Sequence, residues 1–223
     1  MTQEQQASPA PTMELGRYIS QAWALVTKDL ALFLVSSLIV FVVGGIPCVN
    51  LVILGPLLLG LVMIIQRKAK GEQPAIGDVF QGFQQFGRAF VAFLLLFLCS
   101  LALVVPLAVA AFVFGLIPVL GMLLFPVLIF LAMIAAQAIM YFTFVWPMMA
   151  TSDCSPTEAV SKSFKFLFAN FGSVALLTLV AALIGIAGGL ACGIGSIFTM
   201  PLAMATIVIA YNEYYLPRSQ AAA

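Results

Sequence analysis

Apolar side chains occupy this chain in long blocks, and the blocks carry no charge. Residues 30–66, 89–152 and 166–212 contain no Asp, Glu, Lys or Arg. A helix needs about 20 apolar residues to cross a bilayer. The first and third runs therefore each accommodate two spans and a tight turn. The middle run, 64 residues long, accommodates two long spans or three short ones. Three would place Lys162 and Lys165 across the membrane from the other cations, whereas two keep all the cations together. The pattern predicts an all-α, polytopic membrane bundle of six transmembrane helices. Turns are expected at 44–50, 115–121 and 188–195, each followed by a proline inside the next run: Pro56, Pro126 and Pro201.

A polar-apolar segment precedes each hairpin. In the first, Leu15, Ile19, Ala22, Trp23 and Val26 recur at the spacing of one helix face, while Arg17, Ser20, Gln21 and Thr27 fall elsewhere. Pro11 suits the first position of that helix. Adding 145 to these numbers gives Pro156, then Val160, Phe164, Leu167, Phe168 and Phe171, and maps Arg17 onto Lys162 and Pro56 onto Pro201. The middle segment fits an offset of 64, with Val79, Phe83, Phe86 and Phe90 on its face, and Pro126 needs an offset of 70. A recurring period is the mark of an internal repeat. Three units follow, each an amphipathic cytoplasmic helix plus a transmembrane hairpin: 11–66, 67–152 and 153–215. They lie between a disordered tail at 1–10 and a short tail at 216–223. Ser155-Pro156-Thr157-Glu158 reads as a capping box opening the third unit, and Asp78 as the cap of the Phe-rich segment.

Charge fixes the expected orientation. All nine cations, Arg17, Lys28, Arg67, Lys68, Lys70, Arg88, Lys162, Lys165 and Arg218, fall on one side of a six-span arrangement. Cytoplasmic loops collect Lys and Arg, so both termini are expected inside. The first span is expected to stay as an anchor, since no cation lies close before it as in a signal peptide. Arg17, Arg88, Lys162 and Lys165 are the candidate membrane-surface cations. The net charge of +1 gives no reason to expect nucleic acid.

The segment Gly71-Glu72-x-Pro74-x-x-x-Asp78-x-Phe80-x-Gly82-Phe83-x-x-Phe86-Gly87-Arg88-Ala89-Phe90 resembles the first cytoplasmic loop of a bacterial six-span family of unknown function. That family is related to the membrane domain attached to some glycerophosphodiester phosphodiesterases. Glu158-Ala159 with Ser163, then Gly193-x-Gly195, Pro201 and Tyr211, resemble its later motifs. The resemblance covers roughly residues 15–215. It implies a bacterial inner-membrane protein and no particular activity.

Little chemistry is available. The chain has no histidine, so the usual base near neutral pH and the commonest metal ligand are missing. Cys48, Cys99, Cys154 and Cys192 lack C-x-x-C spacing. A pairing of Cys48 with Cys192, both in turns on the side opposite the cations and nearly equivalent in the repeat, stands beside the plainer reading of two small apolar residues. No catalytic residue, cofactor or metal is expected. Gln137, Thr143 and Thr178 are the main polar groups within the spans, expected to bond between helices. Ala181, Gly185, Gly189 and Gly193 form a small-residue stripe, read as packing within the bundle or, second, as a dimer interface. Tyr211, Tyr214 and Tyr215, with Asn212 and Glu213, read as an aromatic belt at the membrane surface.

The expected function is that of a non-enzymatic membrane protein that organises other membrane components or handles lipid. Its partners would be the bilayer, other membrane proteins or a second copy. A transporter or channel for a neutral or lipid-like solute is the alternative, with the kinks at Pro56, Pro126 and Pro201 framing a pathway. An enzyme acting on head groups through the acids at the surface is third.

Overall fold

The computed structural model describes residues 13–46, 49–141, 143–190 and 194–221. The tail at 1–10, Pro11, Pro47, Cys48, Cys192, Gly193 and the Gln137 side chain lie outside the described residues. What is described is helical throughout, with no strand among the described residues.

Three apolar runs resolve into three helix pairs. The first is α2 (Leu30–Gly44) with α3 (Val49–Ala69), the second α4 (Phe86–Gly115) with α5 (Pro118–Tyr141), and the third α8 (Phe171–Leu190) with α9 (Ser196–Ala210). Ahead of the first pair runs α1 (Leu15–Lys28), and ahead of the third α7 (Pro156–Ala169). A short helix, α6 (Val145–Thr151), follows α5, and α10 (Leu216–Ala221) closes the chain. Among the described residues, three helices are long and apolar enough to cross a membrane by length and composition. The bent pair α1 plus α2 makes a fourth if counted as one span. α2 alone has 15 residues, about 22 Å of helix against about 30 Å of hydrocarbon.

The centre of the bundle is α3 beside α9. Residues 54–62 of α3 and 201–211 of α9 and its continuation are buried without a break. A helix apolar all round belongs where neighbours cover every side. α1, α2 and α8 cover α9, while α2, α4, α6 and the segment before α4 cover α3; contact of α5 with α8 closes the ring. The α4–α5 hairpin is the least covered part, and Phe112, Leu116, Phe130 and Met133 stand out from it.

Glycine sets the closest approaches. A methyl group on Gly60 would fall 1.8 Å from the Val79 carbonyl oxygen, and one on Gly82 1.9 Å from that of Pro56. These contacts seat the segment Ile76–Gln85 against α3. That segment is a 3-10 helix, not the α-helix expected. Its three-residue period puts Val79 and Gly82, three apart, onto α3. Outward from it a ladder of rings, Phe80, Phe83, Phe86 and Phe90, steps at 6.0 to 6.3 Å. At the far end of the bundle a methyl group on Gly188 would fall 2.0 Å from Thr199 Oγ1.

Three residues with non-helical backbone angles separate the leading segments from their spans. Asp29 (φ −141°, ψ 56°), Gln85 (φ −114°, ψ 34°) and Asn170 (φ −125°, ψ 39°) leave the helical region in nearly the same way. At the first, the chain turns through 95°. Aligning the first and third breaks needs an offset of 141, since 170 − 29 = 141, whereas the prolines need 145. The difference is about one helical turn.

Two amphipathic faces are rotated from their expected centres. On α1 the buried line is Tyr18, Ala22 and Val26, and Trp23 is half exposed with its ring edge-on to Phe198 at 5.5 Å. α1 begins at Leu15 behind Glu14, with residues 13 and 14 non-helical, so the helix does not run continuously from Pro11. On α7 the buried line is Ala159 and Ser163, with Val160, Phe164, Phe166 and Leu167 beside it. Phe168 and Phe171 project outward, 71% and 61% exposed.

Candidate functional site

The charged residues gather where the helix breaks lie, and the geometry there is a network. Every one of the seven described acids is in an ion pair. Glu14 and Glu213 hold Arg17 at 3.4 and 2.5 Å, Glu72 and Asp78 hold Arg67 at 3.3 and 3.1 Å, and Asp29 holds Lys68. Asp153 lies 3.2 Å from Arg88, and Glu158 2.7 Å from Lys162. Most of these pairs are exposed, where each is worth at most about 1 kcal/mol. Their value is positional, because four of them tie distant parts of the chain.

Each break residue offers an oxygen that a cation occupies. Lys68, at the exit of α3, binds the Asp29 carboxylate. Arg218, beyond α9, donates to Asn170 Oδ1 at 2.5 Å. Arg88 donates to Gln85 Oε1 at 2.8 Å and to the Ser152 and Cys154 carbonyl oxygens at 3.1 and 2.7 Å. In the first and third hairpins, then, a cation at or beyond the second helix holds the break before the first, and in the second Arg88 on α4 joins the break to the stretch after α6. Gly71, with φ +84°, ends α3 so that the Glu72 amide donates back to the Arg67 carbonyl at 3.0 Å. This turn, which favours glycine, keeps Arg67 and Lys68 in place.

The hub of the network is a π-turn, Tyr211–Tyr215, continuing α9. Such turns insert one residue into a helix and often mark functional positions. Here the wider turn sends successive side chains to different neighbours. Tyr211 shares a hydrogen bond with Thr151 at 3.0 Å. The Asn212 and Gln66 amides bond reciprocally at 3.0 and 3.3 Å, and Glu213 holds Arg17. Tyr214 lies under the Arg218 guanidinium at 4.2 Å. Tyr215 packs edge-on to Phe166 at 4.7 Å and beside Phe144 at 5.6 Å. The tyrosines were expected as a belt facing the membrane surface. They turn inward instead, and all three are buried.

Ser155 Oγ accepts from the Glu158 amide at 3.3 Å, as its spacing requires. The reciprocal arm of the capping box is weak. The Glu158 carboxylate is held below the usual glutamate range chiefly by its hydrogen bond to Lys162, with the Ser155 amide contributing least. Lys162 is raised for the same reason. Asp78 is the third residue of its 3-10 helix and reaches back to the Ala75 amide at 3.0 Å, while Gln81 donates to it at 2.8 Å.

The remaining candidates are scattered. Pro56 and Pro201 are buried on the two central helices, whereas Pro126 is exposed on α5, so the three prolines do not converge. In the small-residue stripe Ala181 is buried, Gly185 half-buried and Gly189 exposed; the close approach to α9 falls at Gly188. Of the surface cations, Arg17, Arg88 and Lys162 are engaged within the chain, and Lys165 is exposed without an ion pair among the described residues. Thr178 bonds its own helix at the Val174 and Ala175 carbonyls, both at 3.0 Å. With Thr143, whose buried hydroxyl has no partner among the described residues, it lines a cleft of about 20 Å³ between α7 and α8 that also touches Ser163. A volume of this size holds about one water molecule. Cys99 and Cys154 are free thiols. The π-turn had no signal in the apolar pattern; the one clue was three tyrosines, an amide and an acid at the end of a buried helix.

No curated protein and no solved structure is significantly similar to the chain. Residues 72–216 match the family described as Family of unknown function (DUF7544). The match runs from the acid that binds Arg67, through the aromatic ladder, Arg88 and the Ser155 cap, to the end of the π-turn. At 145 of the 223 residues (216 − 72 + 1) it covers well over half of the sequence, and the chain belongs to that family.

Proposed function

We propose that the protein is a six-span inner-membrane protein of non-enzymatic function, a scaffold that arranges other membrane components or lipids. The observation that carries this reading is the closed centre. α3 and α9 are buried along residues 54–62 and 201–211, and their side chains there are apolar but for Thr206, which bonds its own helix at the Leu202 carbonyl, and Tyr211 at the end, whose hydroxyl bonds Thr151. A conducting pathway needs polar groups along its length, and along these stretches the paired core helices offer only Thr206 and Tyr211, each hydrogen-bonded within the protein. The separation of Pro126 from Pro56 and Pro201 also favours the scaffold over a solute pathway.

Six spans rather than four follow on this reading because α2, α5 and α9 complete the hairpins begun by their neighbours. Three break residues with similar backbone angles, each holding a cation through a side-chain oxygen, support the three-unit repeat. The clustering of cations at the breaks supports cytoplasmic termini. The resemblance of the 71–90 loop to a bacterial six-span family supports a bacterial inner membrane. The outward α4–α5 hairpin offers the surface on which membrane partners or a second copy would be arranged.

Reconstituted vesicles provide the test. Vesicles carrying the protein should leak neutral solutes, and scramble labelled lipid, no faster than protein-free vesicles. Flux or scrambling that needs the protein and stops in Pro56→Ala/Pro201→Ala would overturn the scaffold in favour of a pathway. Cross-linking in cells should capture other membrane proteins or a second copy through cysteines placed at Leu116 and Phe130, and capture of neither would leave the scaffold without a partner and reject it.

A further inference from the structure

The polar layer divides the cations into two groups. Arg17, Arg67, Lys68, Arg88 and Lys162 are neutralised by the seven described acids. Arg218 is engaged by Asn170 and Tyr214. Lys28, Lys70 and Lys165 are exposed and form no ion pair among the described residues. The positive charge outside these ion pairs therefore resides on the three lysines and on the engaged Arg218, and the lysines are largely not the residues that sequence spacing singles out.

Their placement is specific. Lys28 is the residue before Asp29, and Lys70 is two residues beyond Lys68. Since Lys68 binds Asp29, that pair draws Lys28 and Lys70 to one corner, where the sharply bent α1–α2 junction meets the end of α3. Lys165 lies on the exposed stripe of α7, between the Glu158–Lys162 pair and the outward rings of Phe168 and Phe171. Down that helix the surface changes from a neutralised ion pair to a free ammonium and then to exposed aromatic rings. A lysine one turn above exposed rings can lay its stem along apolar surface and hold its charge at headgroup depth.

We propose that Lys28, Lys70 and Lys165 bind the headgroup phosphates of anionic phospholipids in the leaflet that faces the polar layer. The inference rests on the membrane reading above and adds the ligand class and the residues. Compact, strongly hydrated ammonium groups suit a mobile phosphate that is approached as a point charge. The arginines, with their planar forks, are spent on fixed internal partners. The acids play a negative part: by neutralising Arg17, Arg67, Lys68, Arg88 and Lys162, while Asn170 and Tyr214 engage Arg218, they confine lipid attraction to two corners of the face.

The experiment uses the full chain in vesicles of phosphatidylcholine with phosphatidylglycerol, and measures the protein-associated fraction of each spin-labelled lipid. The native protein should select phosphatidylglycerol over phosphatidylcholine by about five-fold or more at low salt, and added sodium chloride should reduce the ratio. Lys28→Gln/Lys70→Gln/Lys165→Gln should bring the ratio near one. The corresponding triple Arg variant should retain it, as should Glu158→Gln/Lys162→Gln, which removes a neutralised pair. No selectivity in the native protein, or full selectivity in the triple Gln variant, would overturn the proposal. Loss of selectivity on adding inorganic phosphate at constant ionic strength would assign the lysines to a soluble phosphate and likewise overturn it. Failure of the chain to float with vesicles after an alkaline wash would defeat the membrane reading itself, an outcome distinct from floating without selectivity.

Discussion

Gly60 and Gly82 decide how closely the 3-10 segment can lie on α3. A β-carbon at either position meets backbone oxygen, which cannot swing aside as a side chain can. Gly60→Ala and Gly82→Ala should each cost about 1 to 3 kcal/mol, the range for overpacking. Gly77→Ala meets nothing within 4 Å and should leave thermal unfolding in detergent unchanged. Equal melting temperatures for all three variants would contradict the close seating. At Ser155 the sequence spacing was sufficient to find the cap, because the hydroxyl and the amide three residues on are local. Ser155→Ala should weaken α7 by about 1 kcal/mol, seen as faster hydrogen exchange at residues 157–160. The partner of Glu158 was not legible in the same way, since Lys162 competes for the carboxylate one turn later. Glu158 is depressed, so its contribution to α7 is present above the usual glutamate value and is lost as pH falls through its lower folded value. A carboxyl titration should place Glu158 below an unpaired glutamate, and Lys162→Gln should move it upward.

Helices rather than residues explain which elements the pattern revealed. Long apolar runs with central turns read out as helix pairs, because burial in lipid or protein demands helices with every backbone group bonded. The segment Ile76–Gln85 and the π-turn escaped that reading. Both depart from the 3.6-residue period only because neighbouring elements hold them, α3 in one case and five different partners in the other. The inward turn of Tyr211, Tyr214 and Tyr215 has the same origin: composition places tyrosine at a membrane surface, but the π geometry redirects it to Thr151, Asn170 and Phe166. The Gln66–Asn212 amide pair is the bond most specific to this arrangement. Asn212→Leu alone leaves the buried Gln66 amide unmatched and should cost about 1 to 3 kcal/mol, whereas Gln66→Leu/Asn212→Leu should recover much of that loss. A double-mutant cycle on unfolding checks it; additive losses would show that the two amides are not coupled.

At the scale of the whole molecule, the class of the protein was legible and its centre was not. Charge-free runs were enough to reach an all-helical chain with three to four helices long and apolar enough to cross a membrane among the described residues. That α3 and α9 form the core could not be read, because a span facing lipid and a span facing protein are equally apolar. The exposed α4–α5 hairpin and the buried α3 differ in what surrounds them, not in composition. For the same reason Pro126 looked equivalent to Pro56 and Pro201 until its exposure distinguished it. The central claim is that three hairpins return the chain to a single polar layer, with every cation on one side. Single cysteines in a cysteine-free background, probed with a membrane-impermeant maleimide, test it most directly. Positions 71, 154 and 219 should react from one side only, and positions 46, 116 and 194 from the other only. Reaction of positions 71 and 154 from opposite sides, or of position 116 from the same side as 71, would contradict the six-span account.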